Sequence, residues 1–331
     1  MKNKLSRIKD RHLIKNQALI ILLVLLIVIF SITEPKFLTL LNIRNIIVQN
    51  AHLAVLSMGV AMIMISGGVD LSIGYQISMS AVIMTMLITK YGIHPAPAIV
   101  LGIIICMLTS VLNILLSMKL GGHTMIITLG TMAGFQGISY TISNASTFIN
   151  LPNSFLFIGQ GSILGIPVNL LVMAVVFVFT MILMEKTYIG KRIYACGDNP
   201  ESARLAGIKV IKVKIGVFAM AGILTGLSAW MLSARSGSAN SSSGVGMEFT
   251  GITACVLGGV SLKGGEGKVW KVLVAVYVLG VLSNGMQFVG LGTYAQYIVK
   301  CILMLFSVGL SNNAFSFKRK RTAVMQDNIK L

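Results

Sequence analysis

Ten apolar segments alternate with short polar connections along this chain. They fall at about 17–33, 44–66, 71–89, 95–118, 123–143, 167–184, 211–233, 248–262, 270–288 and 294–311. Most are long enough to cross a hydrocarbon core as a helix, which takes ~18 or more apolar residues. Short alternating segments of the kind that build an outer-membrane barrel are absent. The pattern predicts an all-α, polytopic membrane protein with about ten transmembrane helices. It reads as one transmembrane domain over 17–312, flanked by basic tails at 1–16 and 313–331.

Composition sharpens that picture. Hydrophobic residues make up 55% of the 331 and charged residues 11%. A soluble domain carries roughly 25% charged residues. The formal charge of +18 raises nucleic acid as a partner, and its placement argues against one. With the N-terminus in the cytoplasm and the spans alternating, 22 of the 27 Lys and Arg residues fall on the cytoplasmic side. They cluster in the two tails and after the fourth, sixth and eighth segments. Lys36, Arg44, Lys90 and Arg235 fall outside, and Lys300 lies within the last span, about 9 Å from its outer end. This is the positive-inside pattern, so the charge is an orientation signal facing anionic lipid. Both termini are expected in the cytoplasm, and residues 1–33, with no small-x-small cleavage site, read as an uncleaved first span.

Enzymatic signatures are missing. The stretch GGVSLKGGEGKVW at 258–270 lacks the spacing of a phosphate-binding loop, since Val269 follows Lys268 and Leu262 stands where its first glycine belongs. No metalloprotease or nucleophile-elbow motif occurs. Cys106, Cys196, Cys255 and Cys301 are scattered singly, which indicates neither a disulfide frame nor a zinc site. His12, His52, His94 and His123 lie far apart, mostly near span ends. Neither a catalytic residue, a metal nor a cofactor is expected.

Polar residues inside the apolar segments are the remaining candidates, because such groups are costly in lipid. Asp70, in SGGVDLSIG at 66–74, stands at the inner end of the second span. It either caps the third helix or forms a proton or sodium site of a secondary carrier, and with Ser72 it is a candidate for the translocation pathway or its gating. Asn113, Gln136, Asn284, Gln287 and Gln296 either line a sugar pathway or bond helices to one another. The pairs Gly130–Gly134 and Gly222–Gly226 allow close helix approach. The eighth segment is short and glycine-rich, as a broken or tilted helix would be.

The longest inside connection, 185–214, contains GDNPESARLAGIKV at 197–210. Asn199 is placed to cap a short helix, Pro200 to begin it, Glu201 to favour its positive end and Gly207 to stop it. On these residues alone the segment is either a stable interfacial loop or a contact for a partner.

Three stretches, GGVDLSIG at 67–74, GDNPESARLAGIKV at 197–210 and VLGGVSLKGGEGKVWKVLVAVYVLGVLSNGMQFVGL at 256–291, resemble the permease subunits of bacterial ABC importers for ribose, xylose, galactose and related sugars. The likeness runs from about 40 to 315. It implies a subunit of the bacterial cytoplasmic (inner) membrane that works with separate ATPase subunits and a second permease subunit, identical or not. A periplasmic or lipid-anchored binding protein would deliver the sugar. It also implies that Gly197, Asn199, Glu201, Ala203, Arg204 and Gly207 belong to the segment resting on the ATPase. The outer loop 144–166 and the serine-rich 233–246 are then either contacts for the delivery protein or flexible connectors. Ser261-Leu262-Lys263 departs from the smaller apolar residues frequent in the family and leaves the sugar open.

Overall fold

A computed structural model of the protein describes residues 19–311. The basic tails expected at 1–16 and 313–331 lie outside the described residues. In chain order the elements are α1 (Leu19–Thr33), α2 (Leu40–Ile65), α3 (Ile73–Thr89), α4 (Pro95–Leu120), α5 (Thr124–Ser143) and α6 (Asn153–Gln160). A two-residue ribbon follows, with β1 (Ser162–Ile163) antiparallel to β2 (Ile166–Pro167). Then come α7 (Val168–Lys186), α8 (Tyr188–Asp198), α9 (Pro200–Leu205), α10 (Val210–Ser236), α11 (Met247–Leu257), α12 (Val269–Phe288) and α13 (Thr293–Ser311).

Among the described residues, α2, α4, α7, α10 and α12 are long and apolar enough to cross a membrane. Shorter apolar helices are α1, α3, α11 and α13. From Ala51 to Ile65 every residue of α2 is buried and nearly all are apolar, the mark of a helix enclosed by others. It is buried along most of its length and packs against α7, α10, α11 and α12. Helix α7 instead turns Val175, Val178, Phe179 and Ile182 outward. The packing of α10 on α4 realises one predicted glycine pair. A Cβ on Gly222 would lie 2.6 Å from the Cα of Met107, and one on Gly226 would lie 2.6 Å from that of Ile103. The other pair is open: Gly130 and Gly134 of α5, with Gly137, have nothing within 4 Å.

Three expectations change. His52 is not near a helix end; it is buried inside α2 at 5% exposure. Its neighbours on the list, His94 and His123, are the N-cap residues of α4 and α5. The loop 144–166 is largely folded, because Phe155 of α6 is fully buried and its carbonyl accepts the Trp230 indole N–H at 3.0 Å. The serine-rich segment turns into the bundle instead of outward. The Ser241 hydroxyl donates to the Ser139 carbonyl at 3.1 Å, and the Gly244 amide donates to Ser78 Oγ of α3 at 3.0 Å. Water does not reach these groups, so the segment's serines and helix carbonyls satisfy each other.

That inward turn explains the short eighth segment. Helix α11 starts where the serine-rich segment ends and has only 11 residues, about 16 Å of rise. It is about half the length of a membrane-spanning helix.

Candidate functional site

Two regions carry the predicted site residues, and one junction links them. The first is the segment after α7. Thr187 opens α8 by accepting the Gly190 amide at 3.2 Å. Asn199, extended at φ −148°, breaks the chain between α8 and α9. Its Oδ1 accepts the Ser202 amide at 2.9 Å, and Pro200 follows at the first helical position. Gly207 ends α9 with φ +81°. There the Ile208 amide donates to the Ala203 carbonyl and the Gly207 amide to the Arg204 carbonyl, both at 3.0 Å, a Schellman closure. Arg204 pairs with Glu201 at 2.9 Å on the open surface. Ala203 is the buried residue of α9, while Leu205 is 82% exposed.

Helix α8 was not separated from its loop in the sequence reading, although Ile193 and Cys196 on one side and Lys191 and Arg192 on the other give it an amphipathic pattern. Burial pushes the Cys196 thiol above its usual range, so it is a packing residue.

The second region is the gap between α2 and α3. Residues 66–72 leave the helix mostly buried, with Gly67 exposed and Val69 half-buried, and the buried backbone groups must find partners. Two threonines one turn apart on α5 supply two: the Val69 amide donates to Thr124 Oγ1 at 3.0 Å and the Leu71 amide to Thr128 Oγ1 at 3.1 Å. Asp70, 2% exposed, gathers the rest. Its Oδ1 accepts the Ser72 amide at 2.9 Å and the Ser72 hydroxyl at 2.7 Å. Its Oδ2 accepts Gln76 Nε2 and Asn113 Nδ2, each at 3.2 Å. Gln76 Oε1 in turn accepts the Ser110 hydroxyl at 2.9 Å.

The expected cap is therefore only partly realised. Asp70 holds the amide of Ser72, the residue preceding α3, and spends its other oxygen on side chains of α3 and α4. Of the predicted polar residues, Asp70, Ser72 and Asn113 come together. Gln136, Gln287 and Gln296 do not join them, and Asn284 exchanges hydrogen bonds with Asn42 at 2.9 and 3.0 Å, joining α12 to α2. Gln76 and Ser110 were missed, having the look of ordinary helix residues. So was Glu248, 1% exposed at the start of α11. Its Oε1 accepts the Gly246 amide at 3.2 Å, and its Oε2 has no partner among the described residues. A Cβ on Gly74 would fall 1.9 Å from that oxygen, so the last glycine of GGVDLSIG makes room for an acid 174 positions later.

The junction lies where α2 ends. A Cβ on Gly197 would sit 1.8 Å from the Ile65 carbonyl oxygen and 2.6 Å from the Gly265 amide. That amide donates to the same Ile65 carbonyl at 2.9 Å. Gly264 has φ +93°, and a Cβ there would meet the Cα of Gly67 at 2.8 Å. The Tyr194 hydroxyl donates to the Gly267 carbonyl at 2.8 Å. Residues 67–74, 197–210 and 258–268, remote in sequence, thus meet backbone to backbone. The glycines of GGVSLKGGEGK serve this approach.

Comparison with known proteins gives the family. Residues 42–308, from α2 into α13, match a family described as "Branched-chain amino acid transport system / permease component". The chain belongs to this permease family. Among curated relatives, the ribose import permease protein RbsC of Bacillus subtilis (strain 168) is 37% identical over 288 residues, covering 86% of this chain and 89% of the relative. RbsC of Escherichia coli (strain K12) is 33% identical over 307 residues, covering 91% and 94%. The galactose/methyl galactoside import permease protein MglC of the same strain is 30% identical over 326 residues, covering 92% and 96%. No solved structure matches the chain. The permease is a multi-pass helical transport component.

Proposed function

We propose that this chain is the membrane-spanning permease subunit of an ATP-binding-cassette importer for a monosaccharide, a ribose-like pentose or a hexose. Its place is the bacterial inner membrane. Helices α1–α5, α7 and α10–α13 are its ten spans, both tails face the cytoplasm, and 185–214 is the coupling loop. The family and the ribose and galactose permeases among its relatives support the sugar class.

The observation that carries the reading is the rigid route inward from α9. Its exposed, capped helix presents Leu205 and the Glu201–Arg204 pair to an ATPase subunit. Gly197, near the end of α8 and two residues before the α9 cap Asn199, abuts the end of α2, and four residues beyond Ser66 the chain reaches Asp70 and its buried network with Ser72 and Asn113. Movement imposed on α9 is therefore delivered to the place where the α2–α3 connection breaks. ATP binding draws the ATPase subunits together, and their differing affinity for the two arrangements shifts the population between inward- and outward-facing forms. The open Gly130–Gly134–Gly137 face of α5 suits a second permease subunit, identical or related, with the sugar path between the two. The folded α6 and its ribbon, with Leu164 97% exposed, suit a periplasmic or lipid-anchored binding protein.

The test is uptake of labelled ribose and galactose by the reconstituted assembly. Replacing both Glu201 and Arg204 with alanine should leave ATP hydrolysis running while uptake falls at least tenfold. Full uptake by the double variant ends the coupling assignment. Uptake by this chain alone, driven by an ion gradient, would favour a secondary carrier acting through Asp70. Both oxygens of that residue are already committed to donors of the protein itself, which weighs against this.

A further inference from the structure

A cavity of about 820 Å³ lies between the ends of α7 and α2 and the starts of α8 and α10. Its lining is divided. At its mouth stand Arg192, Lys209 and Lys212, all exposed, with no carboxylate partner among the described residues and no acid anywhere in the lining. Deeper in, the walls are apolar: Leu183 of α7, Met62 of α2 and Val217 and Met220 of α10. Lys209, Lys212, Gly216 and Met220 fall on one side of α10, at helical spacing. From Lys212 to Met220 that side rises about 12 Å, passing from cation to hydrocarbon. Gly216 lies midway and has nothing within 4 Å of where its Cβ would be, so the groove is open at the change of polarity.

We infer that this cavity binds an anionic glycerophospholipid, its phosphate held by Arg192, Lys209 and Lys212 and an acyl chain lying along the Gly216–Met220 groove. Charge complementarity selects the headgroup. A free phosphate would satisfy the cations and leave the apolar walls bare. The apolar lining continues onto the outward side of α7, where Ile182 and Phe179 are exposed, so a lipid has a lateral way in. Basic pockets between spans on the cytoplasmic side are suited to anionic headgroups. Because Ala206, Gly207 and Ile208 also line the cavity, the lipid would brace the coupling segment from behind, away from Leu205. The inference rests on the cytoplasmic placement of 185–214 proposed above.

The experiment is native mass spectrometry of the full transporter assembly released from nanodiscs of phosphatidylglycerol and phosphatidylcholine. The intact assembly should retain phosphatidylglycerol selectively. The variant R192Q/K209Q/K212Q should lose that preference by on the order of a hundredfold, since each surface cation contributes about fivefold. Gly216→Leu, which leaves every cation in place and fills the groove, should lose it as well. Wild-type retention in the assembled variants overturns the inference. So does displacement of the lipid by inorganic phosphate alone, or loss of the preference when the ATPase subunits bind, which would give the cavity to that partner. Lipid retention does not depend on transport, so failed sugar uptake with intact selectivity counts against the proposed function alone. Labelling of a cysteine placed at Ser202 from either side checks the placement separately.

Discussion

Helix α9 and the Asp70 network are both polar structures built around one acidic residue, and they are held together in opposite ways. Every bond of α9 is local. Asn199 reaches Ser202, Glu201 reaches Arg204, and the closing amides reach back four or five residues at most. It is exposed to water, and each of its contacts is worth little. Around Asp70 the partners come from Ser72 and from two helices, α3 and α4, nothing is exposed, and the loss of one donor or acceptor strands the others. The outer structure can be gripped and moved without disturbing its own fold. The inner one can exist in few arrangements, which suits the switching role proposed for it.

The largest effect that would sharpen this contrast comes from Asp70→Ala. It removes the acceptor for four donors in a site without water and should cost about 3 kcal/mol or more. Thermal unfolding of the assembly in detergent reads it, and the expected result is a much lower transition or no recoverable assembly. Asp70→Asn should fall between, because its amide nitrogen would face the donors of Gln76 and Asn113. Next is Gly197→Ala, whose methyl would collide with the Ile65 carbonyl. Overpacking against backbone should cost about 2 kcal/mol. Gly207→Ala meets no neighbour and bears only the left-handed backbone strain, about 1 kcal/mol. Comparing the two transition temperatures separates the junction from the loop end.

Asn199→Ala removes one cap and should cost about 1 kcal/mol. The same scan should show almost no shift in the main transition, while ATP-driven uptake falls. Smallest is Glu201→Ala, since an exposed i,i+3 pair is worth about 0–1 kcal/mol. If Asn199→Ala destabilised the assembly as severely as Asp70→Ala, the division between a local outer structure and a shared inner one would be wrong.

The same division decides what could be read in advance. Asn199, Pro200 and Gly207 announce their roles because capping is settled within a few residues of chain. The apolar segments are legible for a similar reason, as hydropathy depends on neighbours in sequence. The inward course of 237–247 was not legible. Serines and glycines there look like a solvent loop, and only Ser78, Ser139 and Ser143, up to about 170 positions away, reveal what their hydrogen bonds serve. Gln76 and Ser110 were invisible for that reason too. Asn113 was noticed for its polarity, and its bond to Asp70 depends on how α4 lies against α3. Glycine spacing distinguished neither the packed pair on α10 nor the open pair on α5.

The meeting of Gly67, Gly197, Gly264 and Gly265 has no side chains in it. A joint made of side chains can yield by changing rotamers, and so absorb part of any push. Here main chain bears directly on main chain, so a displacement of a fraction of an ångström at Gly197 would pass to the end of α2 and to Gly264 and Gly265 with little of it taken up by rotamer changes. Such a coupling has almost no backlash.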